Sequence, residues 1–109
     1  MIELHAEVQH SLGQERAIER VRQLVATLTE AFPQQVHRVQ WHARNQSVFV
    51  QFVAYGFPVS WRADIYDDIV SLSGAIPDSA RSVRRKIIEA TVARVEQVLH
   101  PGVTLPRAA

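Results

Sequence analysis

The sequence predicts an α+β fold with the element order β-α-β-β-β-β-α, in which two helices pack on one face of an antiparallel sheet. Three observations predict it. An alternating stretch opens the chain, residues 36–76 return to a period of two after a helical segment, and a second apolar helical segment follows. The connections between the alternating stretches are short, which favours antiparallel hairpins. Placing both helices on one side of the sheet buries both apolar stripes.

The first strand and the first helix are predicted from a change of period. Apolar and polar residues alternate strictly over residues 2–9. The helix is predicted to begin at Ser11, because a hydroxyl residue with Gln14 three positions later has the form of a capping box. Apolar residues then recur every three or four positions, at Ala17, Val21, Leu24, Val25, Leu28 and Phe32. The pair Phe32-Pro33 is predicted to end the helix, since the residue before a proline avoids the helical region.

Four further strands are predicted between residues 36 and 76. The breaks between them are predicted at Asn45-Gln46, Gly56-Phe57-Pro58 and Asp67-Asp68, which contain residues typical of turns. Residues 47–55 place apolar side chains at both odd and even positions, and therefore on both faces of a strand. This pattern indicates an interior strand whose second face is also covered.

The closing helix is predicted from Pro77-Asp78-Ser79 to His100, with apolar residues over about half of its circumference. Residues 101–109 are predicted to be a C-terminal tail, so that residues 1–100 form a single α+β domain. A long last helix held against a curved sheet resembles a helix-grip arrangement in the order of its elements.

The composition favours a cytoplasmic protein and narrows the classes of function. The chain has 109 residues, no cysteine and a net charge of +1. The lack of cysteine excludes a disulfide scaffold and a thiol nucleophile, and the small net charge provides no general attraction to nucleic acid. No apolar run is long enough to span a membrane, and the first residues lack the pattern of a signal peptide.

No residue spacing matches a catalytic, metal or phosphate motif, so that no metal or other cofactor is expected and an enzyme is disfavoured. The five histidines include no helical pair three or four residues apart. Ser11 beside His10 is interpreted as a helix cap rather than a nucleophile, since no glycine elbow surrounds it. Asp64, Asp67 and Asp68 are interpreted as turn residues, because the calcium-loop pattern is absent.

A ligand pocket is one candidate site, located between the closing helix and the sheet. Both tryptophans fall on apolar strand phases, so that they point toward the predicted core. The residues expected to line the pocket are Trp41, Trp61 and Ile88. Such a lining suits a hydrophobic, acyl-type ligand.

An association surface is a second candidate, on the sheet face away from the helices. Phe49, Val53 and Tyr55 occupy the second apolar phase of the interior strand and need cover. If both helices lie on one face, these side chains form an exposed apolar patch, which favours a homodimer.

A basic group at the start of the closing helix is a third candidate. Arg81, Arg84 and Arg85 would suit an anion such as a nucleic-acid phosphate or an acidic partner. A solvated helix face explains the same residues more simply. Nucleic acid is not the expected partner, because the net charge is small and no nucleic-acid motif is present.

The stretch Gln9-His10-Ser11-Leu12-Gly13-Gln14, which leads into the first helix, resembles the polyhydroxyalkanoic acid system protein family of bacteria. The resemblance extends over residues 2–99, through a strand that bears Trp41, a strand break at Gly56 and a closing apolar helix. It implies an accessory role near polyester storage granules, with a granule surface or a polyester-synthesis protein as partner. It implies no catalytic residues.

Two functions follow as expectations from the sequence. The first is a non-enzymatic accessory or binding protein that acts through association with a protein or a granule surface, as the resemblance implies. The alternative is a binding protein for a small hydrophobic ligand held in a helix-grip-like pocket.

Overall fold

The computed structural model describes residues 1–32 and 34–100. The elements are β1 (Ile2–Gln9), α1 (Gln14–Ala26), α2 (Leu28–Ala31), β2 (Val36–Arg44), β3 (Ser47–Ala54), β4 (Phe57–Ile65), β5 (Ile69–Ile76), a 3₁₀ helix (Asp78–Val83) and α3 (Arg84–Leu99). The predicted α+β class is confirmed. The predicted first helix is divided into α1 and the short α2, and the predicted closing helix begins as a 3₁₀ helix before α3. The predicted tail, residues 101–109, and the predicted role of Pro33 lie outside the described residues.

The five strands form one antiparallel sheet in the order β1-β5-β4-β3-β2. Helix α1 packs on β2, β3 and β4, while α3 packs on β1 and on α1. Buried side chains of both helices and of one sheet face belong to a single core. Both helices therefore lie on the same face of the sheet, as predicted.

The strand register determines which residues face the helices. Val50 of β3 pairs with Trp61 of β4, Trp61 pairs with Gly74 of β5, and Gly74 pairs with Leu4 of β1. Directly paired residues share a face of the sheet, and Leu4, Val50 and Trp61 are all buried. Trp61 therefore lies in the central strand of the covered face.

The β3–β4 hairpin turns at Tyr55-Gly56, one residue earlier than the predicted break. Both residues have positive φ angles, 55° and 83°, as a type I′ hairpin turn requires. Phe57 and Pro58 therefore belong to β4. Pro58 is tolerated in this strand because β5 pairs with β4 only from Ser60 onward, so that the missing N–H removes no hydrogen bond to β5.

Strand β2 forms an irregular outer edge of the sheet. Its pairing with β3 shifts between His37 and Gln40, and Arg38 inside this bulge has a φ of 57°. Bulges of this kind are common on edge strands, which they bend and twist. The structure describes every residue of β2, and only Val36 among them is fully buried.

Helix α1 begins later than predicted, and Ser11 does not cap it. The residue before the helix is Gly13, whose φ of 84° and ψ of 160° belong to a region that glycine adopts most readily. The backbone N–H of Gln14 donates to Oδ1 of Asp67 at 3.1 Å, and Nε2 of Gln14 donates to the carbonyl of Ile65 at 3.0 Å. The capping prediction for Ser11 is wrong, because a carboxylate 53 residues away accepts the hydrogen bond from the helix N-terminus.

Candidate functional site

An apolar cavity of about 90 Å³ lies between the helices and the covered face of the sheet. Its wall includes Val21 and Val25 from α1, Phe52 from β3, Leu72 from β5 and Val95 from α3. Aliphatic and aromatic side chains make up most of the lining, and Arg94 is the single charged residue among the described residues that line it. The cavity is therefore suited to an apolar group with few polar contacts.

Trp61, one of the residues that line the cavity, carries a buried polar atom. Its side chain lines the cavity and is 5% exposed. Among the described residues, Nε1 of Trp61 is the one buried side-chain nitrogen or oxygen without a hydrogen-bond partner. Leaving such a donor unsatisfied costs about 1–3 kcal/mol. A small molecule with an oxygen in the cavity would recover part of this cost.

The Trp61 indole contacts β5 at Gly74. A Cβ built on Gly74 would lie 2.9 Å from Cε3 and 3.1 Å from Cδ2 of Trp61, so that these are the ring atoms nearest to that position. Nε1 is not among them.

The lining residues that are at least partly exposed mark the mouth of the cavity: Leu24, Leu28, Phe32, Tyr55, Ala90, Thr91 and Arg94. The guanidinium of Arg94 lies 5.1 Å from the centroid of the Phe32 ring, which allows a cation–π interaction. Nη1 of Arg94 donates to Oε1 of Gln97 at 2.7 Å. Within residues 1–32 and 34–100, Arg94 forms no ion pair. The mouth thus presents a cation that the described carboxylates do not neutralise.

Of the three residues predicted to line a pocket, Trp61 alone lines this cavity. Trp41 lies on the covered face opposite Val50, but β2 is the edge strand and Trp41 is 38% exposed. Ile88 is half-buried against the core without reaching the cavity wall. Arg94 was not predicted, although it lies seven residues after the buried Ile87 and therefore on the apolar stripe of α3.

The opposite face of the sheet is mostly polar. One residue from each strand forms a row across it, in the order His5, Ser73, Arg62, Phe49 and His42. The rings of His42 and Phe49 stack with centroids 4.7 Å apart, and the guanidinium of Arg62 lies 5.3 Å from the Phe49 centroid. Side chains of the same molecule therefore cover much of the apolar surface of Phe49.

The predicted association surface is divided between two sides of the sheet. Phe49 and Val53 lie half-buried on the polar face. Tyr55 occupies the β3–β4 turn instead and lines the mouth of the cavity on the helix side. The apolar patch on the polar face is smaller than expected for this reason. Homodimer formation through this face stays a prediction.

The predicted anion site consists of exposed residues. Arg81 lies in the 3₁₀ helix, and Arg84 and Arg85 begin α3. All three are exposed, as a solvated helix face requires. Anion binding by these residues stays a prediction.

The stretch that carries the family resemblance forms the junction between β1 and α1. His10 is 6% exposed. Its Nδ1 accepts a hydrogen bond from the N–H of Leu12 at 3.2 Å. Its Nε2 lies 3.0 Å from the carbonyl oxygen of Tyr66. A backbone N–H can only donate and a carbonyl can only accept, so that Nε2 carries the proton of a neutral ring. Both ring nitrogens therefore hold backbone groups in place, and neither is available to a substrate.

In the part of the chain that the structure describes, no group of three His, Asp or Glu side chains is arranged to hold a metal ion. The described helices are also too short or too polar to cross a membrane. The strand order, the helices on one face and the enclosed apolar space define an α+β protein whose helices cover a cavity on an antiparallel sheet.

No family model matches the sequence, and no curated protein matches it either. Among solved structures, that of Ara h 8.0201 is similar over 93% of this chain and 99% of the other, with 9% identity and a TM-score of 0.49. Truncated norcoclaurine synthase from Thalictrum flavum is similar over 97% and 95%, with 10% identity and a TM-score of 0.49. The protein TTHA0849 from Thermus thermophilus is similar over 90% and 92%, with 17% identity and a TM-score of 0.39.

Proposed function

We propose that this protein binds a small, mainly apolar ligand in the cavity between the helices and the sheet, and that the ligand carries an oxygen acceptor. The observation that supports this proposal is that the buried Trp61, whose Nε1 has no partner among the described residues, lines a mostly apolar cavity. A ligand that fills the cavity gains apolar contact, and its oxygen satisfies the indole N–H. A hydrocarbon of the same size gains only the apolar contact.

The volume of the cavity limits the size of the enclosed group. An apolar cavity of about 150 Å³ accepts benzene, and drug-sized ligands occupy about 300–1,000 Å³. The cavity here has about 90 Å³. The enclosed part of the ligand is therefore smaller than benzene, and a longer ligand extends through the mouth at Tyr55 and Arg94.

The test compares the binding of two small molecules of similar size. It uses the variant Trp41→Phe, in which Trp61 is the single tryptophan and therefore the single source of the indole signal. We expect 2-pentanone to shift the indole N–H resonance of Trp61 in a ¹H–¹⁵N spectrum, because its carbonyl accepts the hydrogen bond. We expect n-pentane to enter with a smaller shift of that resonance. The proposal is wrong if neither molecule changes the Trp61 resonance or its fluorescence at saturating concentrations.

A second variant separates the hydrogen bond from the apolar contact. Trp61→Phe removes the N–H while it keeps an aromatic ring on the covered face. We expect this variant to bind 2-pentanone and n-pentane with similar affinity, whereas the parent chain prefers the ketone. An undiminished preference for the ketone in Trp61→Phe would show that the acceptor is bound elsewhere.

A role in a polyhydroxyalkanoate system is a second proposal, and the resemblance of the stretch from Gln9 to Gln14 is what supports it. A short acyl group is compatible with the cavity volume, so that the two proposals do not exclude each other. The test is whether the protein sediments with storage granules in lysates of polymer-producing cells. Equal amounts in the granule fractions of producing and non-producing cells would contradict this role.

A further inference from the structure

We infer that the ligand is an anion whose short chain enters the cavity with the oxygen acceptor proposed for Trp61, and whose charged head binds Arg94 at the mouth. This inference rests on the proposed function and specifies the class of ligand. It is carried by the position of Arg94, the single charged residue among the described residues of the cavity lining. An anionic ligand would use the guanidinium at the mouth, whereas a neutral ligand would use only the apolar wall.

The neighbours of Arg94 on α3 do not neutralise its charge. The residues three and four positions away, where helical side chains meet, are Ala90, Thr91, Gln97 and Val98. None of them carries a charge, and Gln97 accepts a single hydrogen bond from Nη1. No carboxylate of the described residues forms an ion pair with Arg94. The remaining donors of the guanidinium are therefore available to a ligand.

The surroundings of Arg94 favour an anion that binds partly out of water. The guanidinium lies over the ring of Phe32 and is only partly exposed. A charge pair beside apolar side chains is screened less than one on an open surface. The planar fork of arginine also matches the two oxygens of a carboxylate or a phosphate. A carboxylate or phosphate head is therefore the chemistry that this mouth recognises.

The enclosed volume sets the length of the apolar chain. A water-sized group occupies about 30 Å³ of liquid volume, and the cavity measures about 90 Å³. About three or four chain carbons therefore fit inside while the head stays at the mouth. Short-chain monocarboxylates and short alkyl phosphates reproduce the chain length and the head of such a ligand, and the acceptor in the chain is tested separately with 2-pentanone.

The experiment compares ligands of similar length and different head, again on the Trp41→Phe chain with Trp61 as the reporter. The probes are pentanoate, butyl phosphate, pentanamide and pentylammonium. We expect the two anions to bind at least about tenfold more tightly than pentanamide, because a charge-assisted hydrogen bond is stronger than a neutral one. We expect pentylammonium to bind most weakly. The stronger of the two anions identifies the natural head as a carboxylate or a phosphate.

Variants of Arg94 show whether this residue provides the selectivity. We expect Arg94→Gln to remove the preference for anions and to leave the affinity for pentanamide unchanged, and Arg94→Lys to retain part of the preference. The matched control is Arg85→Gln, which removes the same charge from an exposed position at the start of α3. This control should bind all four probes as the parent chain does.

The outcomes distinguish the inference from the proposed function. If pentanamide binds and Arg94→Gln leaves the affinity for pentanoate unchanged, the inference is overturned while ligand binding in the cavity stands. If Arg85→Gln rather than Arg94→Gln removes the preference, the head binds at the other end of α3 and the inference is again overturned. If no probe of any charge affects Trp61, the proposed function fails together with the inference.

Discussion

The indole of Trp61 lies directly against Gly74 on the neighbouring strand. A Cβ at position 74 would stand 2.9 Å from Cε3 and 3.1 Å from Cδ2 of Trp61, and closer still to the carbonyl oxygen of Ser60. Position 74 lies on the same phase of β5 as the buried Leu72 and Ile76. The ring of Trp61 therefore occupies the space that a side chain of β5 would otherwise fill.

Gly74→Ala is expected to destabilise the protein. The added methyl group would displace the indole and the Ser60 carbonyl, and overpacking of this kind costs about 1–3 kcal/mol. The measurement is the free energy of unfolding from urea denaturation. Ser73→Ala, on the polar face of the same strand, is the control and should lie within about 0.5 kcal/mol of the parent. Equal stability of the two variants would contradict the close packing of Trp61 on Gly74.

His10→Ala is expected to weaken the junction between β1 and α1. The substitution leaves the N–H of Leu12 and the carbonyl of Tyr66 without their side-chain partner. The loss of a buried hydrogen-bonding partner costs about 1–3 kcal/mol. Thermal and urea unfolding measure the effect, with His37→Ala at an exposed position of β2 as the control. A smaller loss at His10 than at His37 would show that the ring does not hold this junction.

Asp67→Ala is expected to destabilise the start of α1. The carboxylate of Asp67 accepts from the N–H of Gln14, and the loss of an N-terminal cap costs about 0.5–2 kcal/mol. Asp68→Ala removes the same charge one residue later and is the matched control, because Asp68 contributes its backbone carbonyl to His10 rather than its side chain. Hydrogen exchange of the first amides of α1 should accelerate in the Asp67 variant alone. If the amides exchanged equally fast in the Asp67 and Asp68 variants, the effect would come from the lost charge rather than from the hydrogen bond to Gln14.

Ala90→Leu is expected to fill the cavity. Ala90 lines the cavity from α3, and the larger side chain adds three carbon atoms to a space of about 90 Å³. We expect 2-pentanone to lose its effect on the Trp61 resonance in this variant. Ala93→Leu changes an exposed position of the same helix and should leave binding intact. Retained binding in Ala90→Leu would place the ligand outside the cavity.

The alternation of apolar residues correctly predicted the covered face of the sheet, because this pattern depends on local geometry alone. It placed Trp61 in the core for that reason. The same rule placed Trp41 on the covered face, but alternation carries no information on strand order. Only the position of β2 at the edge shows that Trp41 is a partly exposed residue and does not reach the cavity.

The errors arise where a distant residue or a turn overrides a local pattern. Ser11 has the spacing of a capping residue, but Asp67 accepts the hydrogen bond from Gln14 across 53 positions. Tyr55 continues the apolar phase of Phe49, yet its positive φ belongs to the turn and directs the chain out of the strand. Tertiary contacts of this kind are not visible in the spacing of neighbouring residues.

The bulge around Arg38 has a consequence for the behaviour of the protein at high concentration. A long regular outer strand offers its free N–H and C=O groups to another chain, which can lengthen the sheet indefinitely. The shift between His37 and Gln40 interrupts that row of groups on β2. Growth of fibrils from this side of the molecule is thereby opposed by backbone geometry, without any contribution from net charge.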